Sequence, residues 1–409
     1  MPGPLDGFRV VDLTTMVSGP LGSMILADQG ADVVKVEMPR GGDHTRQVAT
    51  RRNGYSASFL NNNRNKRSIA LDLKTPDGLE AVKRLVREAD VFLQNFRPGV
   101  TDRLGLGYED LRAINPRLVY VSIAGFGFEG PFAGKPVFDP LIQSLSGLTT
   151  VQAGSDEDRP RLVRTILPDK LTGFAMSQAV CAALLARSRS GEGQHVRLSM
   201  LDTVLAFLWS SDMGGHTFVG DEMEKEAAQS WIDLIYETKD GYISVAVMRH
   251  KEWLGLAEAA ERPEWTEDPR FQDSESLDRH KHARLELTQE VLRERTTAEW
   301  IDRLEAAGVP CAPVLTRREA IRHPQVQANG IVFENDHPAA GRLRQARNPA
   351  QFSATPNEHR FGAPALGGQT REILAEAGYS PAEIEALIEA GAAAEPKRAG
   401  PQGTGEDAA

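Results

Sequence analysis

The sequence predicts an α/β protein with a mainly parallel sheet and a second, smaller domain. Three observations carry that prediction. Short β-branched runs alternate with helical periodicity over residues 8–124. The chain has 409 residues, more than one hydrophobic core usually serves. Its texture also changes near residue 220, where charged and polar segments replace the alternating pattern.

Residues 8–13 (FRVVDL) and 31–37 (ADVVKVE) are apolar runs flanking a small-residue helical pattern at 21–28, which makes a βαβ opening. Residues 77–90 place Leu79, Val82, Leu85 and Val86 at helical spacing and run into a strand at 91–93. A helical stretch at 108–114 precedes the β-branched, aromatic segment LVYVSIA at 118–124. Strands joined through helices pair in parallel. The longest helical pattern, 169–189, begins at Asp169 after Pro168 and closes at Gly191 and Gly193, with a strand at 194–198 and a helix at 202–209 following. These elements make residues 1–220 the large domain and 225–315 the small one. Residues 316–391 hold a long Pro- and Asn-rich linker at 320–366, then helices at 370–377 and 381–389, the last opened by a capping box from Ser380 to Glu383. The low-complexity segment 392–409 is expected to be a disordered tail.

Composition bounds the function. Hydrophobic residues make up 41% and charged residues 25%, which excludes wholesale disorder. The net charge is -10 with Lys and Arg scattered, so an extended stripe for nucleic acid is not expected and any anion must be held locally. Cys181 and Cys311 form no CxxC spacing, which argues against cysteine-bound zinc and fits a reducing compartment. The start lacks a signal-peptide pattern, and no window approaches the roughly 18 apolar residues of a membrane span. A soluble cytoplasmic protein, without membrane partners, is the expectation.

Gly125 to Gly130 (GFGFEG) matches GxGxxG after a strand, but Pro131, Gly134 and Pro136 follow, so no helix N-terminus is available for a pyrophosphate. Glu37, at the end of the second strand, stands where a nicotinamide enzyme would hold a ribose, yet the first turn lacks the glycine pattern. Cations recur after strand ends: Arg40, Lys66, Arg67, Lys74, Arg97 and Arg103. Single cations usually only solvate loops, but their recurrence beyond strand ends suggests a polyanionic, nucleotide-like ligand. Asp169 reads either as a helix N-cap or as a carboxylate nucleophile, already ionised and needing only a desolvated approach to an activated acyl carbon. His280 and His282 lack carboxylate support for a metal, His250 has no assigned task, and Cys181 sits in an apolar helix. HExxH, GxSxG and P-loop motifs are absent, and no metal is expected.

Several segments, in order, carry a resemblance. They are residues 4–43 (PLDGFRVVDLTTMVSGPLGSMILADQGADVVKVEMPRGGD), NRNKRSIALDLKTPDG, NFRPGVTDRLGLGYEDLRAINPRLVYVSIAGFGFEGP, PDKLTG, GEGQHVRLSMLD and GVPCAPV. Together they resemble the family III CoA-transferases. The resemblance implies a Rossmann-like CoA-binding domain formed from both chain ends, a smaller inserted α+β domain, and an interlocked homodimer, which would account for the long linker. It implies coenzyme A as part of an acyl-CoA substrate, a carboxylic acid as the second substrate, and Asp169 as the nucleophile that passes through aspartyl anhydride and aspartyl-CoA thioester intermediates. By the same similarity Arg40, Lys74, Arg103 and Lys135 line the CoA nucleotide and phosphates. Met16, Val17, Ser18, Leu71, Asn95 and Phe96 contact CoA as well.

The departures narrow the substrate. Formyl-CoA transferase of that family carries a glutamine facing its small dicarboxylate at the place of Val17, so oxalate is not the expected acid. Its glycine-rich loop is not matched in GYISVAVMRHKEW. Related α-methylacyl-CoA racemases keep a histidine where Phe138 precedes Asp139, as proton exchange at Cα needs an acid–base pair. Val17 and Phe138 thus stand as the substrate-pocket residues. A 2-methylacyl-CoA racemase and a non-catalytic CoA-ester binder remain the alternatives.

Overall fold

The apolar runs of the first half become strands of one sheet because both of its faces are covered. The computed structural model describes residues 2–228 and 232–396. Its large sheet contains β1 (Arg9–Asp12), β2 (Asp32–Glu37), β3 (Lys66–Leu71), β4 (Val91–Gln94), β5 (Val119–Ala124), β6 (Gln194–Ser199) and β7 (Ala393–Ala394). They lie in the order β7-β3-β2-β1-β4-β5-β6, parallel except for β7, which runs antiparallel to β3. Within β1, Val10 packs to one face with Val33, Val91 and Val121, and Val11 to the other with Val34, Ile69 and Phe92. A parallel sheet buried on both sides needs such continuous apolar strands.

Helices cover both faces. They are α1 (Ser18–Asp28), α2 (Pro76–Arg87), α3 (Tyr108–Ile114), α4 (Asp139–Leu145), α5 (Leu167–Ser190) and α6 (Met200–Trp209). Thr75 caps α2 by accepting from Gly78 N, with Pro76 in the first turn. Helices α1 and α5 cross closely because both present glycine: a Cβ on Gly22 would lie 2.6 Å from Gly173 O, and one on Gly173 2.8 Å from Ser18 O. The strand order reverses between β1 and β4, and ligands of such sheets bind beyond the carboxyl ends of the strands at that point.

Two expectations are corrected. The segment expected as a disordered tail from 392 begins as β7, whose residues pair with Leu71 and Ala70; residues 397–409 lie outside the described residues. The stretch 320–366, expected as a linker, contains a hairpin of Val332–His337 and Gly341–Ala346, and its return is anchored by buried polar groups. Asn65 donates to Glu358 O and accepts from the amides of Arg360 and Phe361, while Arg64 pairs with Asp28 at 2.6 Å. The asparagine's place in the sequence gave no hint of partners almost 300 residues away.

The described residues divide into two units, one of 2–228 with 331–396, the other of 232–330. The second unit has a three-stranded antiparallel sheet (Ile235–Glu237, Tyr242–Val245, Cys311–Pro313) against helices His250–Ala260, Lys281–Leu292 and Thr297–Ala306. Trp253, Phe271 and Trp300 are fully buried in its core. Among the described residues no helix is long and apolar enough to cross a membrane.

Candidate active site

Asp169 sits in the first turn of α5. The helix starts at Leu167 rather than at Asp169, with Pro168 inside the first turn, where its missing N–H costs nothing. Asp169 is therefore not the N-cap; that position belongs to Ile166, whose side chain makes no capping bond. The α1–α5 crossing brings Ser18, the first residue of α1, to the Asp169 carboxyl, which it meets with both its amide and its hydroxyl. A helix N-terminus favours an anion there. On the other side, Asp139 at the start of α4 is buried, and its Oδ2 accepts from the Asp169 amide at 3.3 Å. Gln143 fixes Asp139, donating to Oδ1 at 2.6 Å.

These surroundings oppose one another. Burial, and then the Asp139 carboxylate, push the Asp169 carboxyl up to about 6, against the hydrogen bonds from Ser18. Burial likewise raises Asp139 above the ordinary carboxylate range. A carboxylate of raised pKa is mostly ionised at neutral pH and a better nucleophile than an exposed one.

The loop between β1 and α1 rests on a buried ionic network that sequence reasoning missed. Lys35 and Lys66 are fully buried. Lys35 pairs with Asp43 at 2.9 Å and Lys66 with Asp12 at 3.2 Å, while Glu37 pairs with Arg46 at 2.6 Å. Burial alone would raise the Asp12 carboxyl, but Lys66 and Lys35 hold it below its usual range. Lys66 is pushed down to about 8 by burial and stays charged at neutral pH. The available signal was lysine inside central apolar strands, a position that demands a partner. Glu37 thus serves Arg46 and Ser68, not a ribose.

The expected ligand residues fall into two groups. Met16, Val17 and Ser18 line the turn before α1, and Arg40, Lys74, Arg103 and Lys135 are exposed. Arg40 borders a cavity of about 600 Å³ with Tyr55, Phe59, Ala70 and Ala394. Lys135 lies over the Phe132 ring, 3.3 Å from its centroid. Phe96 is partly buried, and Phe138 is 67% exposed beside Asp139. Others are committed elsewhere. Leu71 is fully buried in the core, so its side chain offers a ligand no surface. Asn95 uses its amide on the Thr15 backbone. Lys66 is spent on Asp12, and Arg67 binds Asp32, Glu372 and Glu376. The Gly125–Gly130 segment is irregular, and the next helix opens only at Asp139. Among the described residues no group of His, Cys, Asp or Glu is arranged to hold a metal ion.

Comparison with known proteins gives the family. The model of CoA-transferase family III matches residues 5–370. The acetyl-CoA:oxalate CoA-transferase of Acetobacter aceti is 35% identical over 381 residues, covering 91% of this chain and 96% of that protein. The mouse succinyl-CoA:glutarate CoA-transferase is 32% identical over 393 residues, covering 94% and 89%. The crystal structure of a CAIB/BAIF family protein from Brucella suis superposes with a TM-score of 0.82 at 31% identity, covering 92% of this chain and all of that one.

Proposed function

The chain belongs to CoA-transferase family III and is an acyl-CoA:carboxylate CoA-transferase, and from that premise we propose that Asp169 carries CoA, as an aspartyl thioester, from one acid to the other. The observation that supports this is the carboxyl of Asp169 at the N-terminus of α1, desolvated and facing Ser18. An Asp169 oxygen attacks the thioester carbonyl; a C–O bond forms, the C–S bond breaks, and CoA leaves as thiolate. The thiolate attacks the aspartyl carbonyl of the resulting anhydride, releasing the first carboxylate and leaving an aspartyl-CoA thioester. The acceptor carboxylate attacks that thioester, forming a second anhydride and freeing thiolate again. Attack of the thiolate on the acceptor acyl carbon yields the new acyl-CoA and restores Asp169. One thioester and one carboxylate enter and one of each leaves, so no net proton or ATP is consumed.

The CoA nucleotide and phosphates are assigned to Arg40, Lys74, Arg103 and Lys135, with the cavity beside Arg40 taking part of the nucleotide. Half-buried Val17 and exposed Phe138 are apolar and themselves offer oxalate no polar partner. The relative named for succinyl-CoA and glutarate supports an acid longer than oxalate, with its carboxylate borne on a methylene chain. An interlocked homodimer is supported by the apolar side chains that α4, α5 and α6 leave exposed, among them Leu141, Leu145, Phe174, Phe207 and Trp209.

The test is mass spectrometry of the protein mixed with a panel of acyl-CoAs. A CoA adduct on the Asp169 peptide, converted to a hydroxamate by hydroxylamine, is expected. Full exchange by Asp169→Ala would overturn the mechanism, and binding without an adduct would favour a mere CoA-ester binder.

A further inference from the structure

The turn that presents Ser18 is held by side chains along its whole backbone. Asp12 accepts from Thr14 N at 2.9 Å, and Lys35 donates to Thr14 O at 2.8 Å. Asn95 spans the β1/β4 switch point: its Oδ1 accepts from Thr15 N at 3.0 Å and its Nδ2 donates to Thr15 O at 2.8 Å. Asp43 accepts from Met16 N at 3.3 Å while its other oxygen pairs with Lys35. Every backbone polar group from Thr14 N to Met16 N thus ends on a side chain, and only that of Asp12 is local to the turn. Short loops normally satisfy such groups with water or with one another.

The clamp holds an unfavourable conformation. Met16 has φ of 71°, the left-handed region that a long side chain enters at a cost, and it is followed directly by Val17 and Ser18. Released, the turn would relax and carry the first residues of α1 with it. Buried ion pairs such as Lys35 with Asp43 give little net stability for what they cost to desolvate, so a geometric role accounts for them better than a stabilising one.

We propose that Asn95 and the Lys35–Asp43 pair are positioning residues that hold Thr14–Met16 so that the amide and hydroxyl of Ser18 face the Asp169 carboxyl. This rests on the reading of Asp169 as nucleophile. The residues do not touch the reacting atoms; they act through the turn. Their effect is to keep two donors aimed at the carboxylate before acyl-CoA arrives, and to keep the attacking oxygen within the narrow geometry that acyl transfer requires.

The experiment measures the rate of adduct formation on Asp169 at saturating acyl-CoA across pH, in wild type, Asn95→Ala and Asp43→Asn. Asn95→Ala leaves no buried charge unpaired, and Asp43→Asn keeps the shape and one acceptor, so one can fail to fold without ending the test. Misplacement near the reacting centre costs on the order of tenfold to a hundredfold, and a fall in that range is expected. The pH profile separates positioning from simple destabilisation. The groups acting on the Asp169 carboxyl are Asp139 on α4 and Ser18 on α1; Lys170, its neighbour, donates to Thr165. Losing the Ser18 bonds removes what lowers the Asp169 pKa, so the midpoint of the acidic limb must move up from about 6. A fall in rate equal at every pH with an unmoved midpoint, or a wild-type rate in both folded variants, overturns the proposal. Absence of any Asp169 adduct in wild type overturns instead the nucleophile reading on which it stands.

Discussion

Asp169 should cost the protein stability at the pH where it works. Its carboxyl is moved from 3.8 to about 6, chiefly by burial and then by Asp139. That is about two pKa units, or about 3 kcal/mol favouring the protonated form in the folded state. The sign follows from linkage. Between pH 4 and 6 the folded chain binds more protons at this residue than the unfolded chain, so stability falls as pH rises through that window and stays lower above it. Asp169→Asn keeps an acceptor for Ser18 but removes the charge. The variant should match wild type near pH 3.5 and exceed it by up to about 3 kcal/mol at pH 8, while losing transfer. Urea unfolding of both proteins at the two pH values measures the difference directly. A variant no more stable than wild type at pH 8, or one offset equally at both values, would refute the desolvated, like-charged environment assigned to Asp169.

Three further outcomes are expected. Asp139→Asn removes the like charge beside Asp169, so the acidic limb of transfer should move below about 6, read from the pH profile of kcat/KM. Lys66→Met strands Asp12 in a fully buried site, and breaking a buried pair from one side should cost about 3–5 kcal/mol in urea unfolding. Gly22→Ala places a Cβ 2.3 Å from Met176 Cε and 2.6 Å from Gly173 O, so α1 must shift; a loss of about 1–3 kcal/mol with a slower transfer rate is expected.

Much of the sheet was legible because β1, β2, β4 and β5 carry their own apolar runs, whereas β3, opened by Lys66 and Arg67, was not expected as a strand. The continuous valines of ADVVKVE give a doubly covered strand whatever its neighbours do. Asp169 was legible as a residue but not as a position: Pro168 read as a boundary, whereas the first helical turn accommodates it. Cations were the least legible. Arg40 and Lys66 follow similar patterns, yet one is exposed at a cavity and the other is buried on Asp12, and only contacts across the sheet distinguish them. Asp139 became visible as a partner only through Phe138 in the resemblance; its bond to the Asp169 amide joins residues that no local pattern connects. The return segment failed for the same reason, since its anchor Asn65 lies far upstream.

The central claim is that the acceptor's oxygen passes through Asp169. The direct measurement is a single turnover with an acceptor acid labelled with heavy oxygen in both carboxylate positions, followed by mass spectrometry of the Asp169 peptide. The second anhydride leaves one labelled oxygen on the aspartyl carbon when thiolate attacks the acceptor acyl group, so the Asp169 peptide should gain one heavy oxygen and no other peptide should. Turnover that forms labelled acyl-CoA while the Asp169 peptide stays unlabelled would contradict the account.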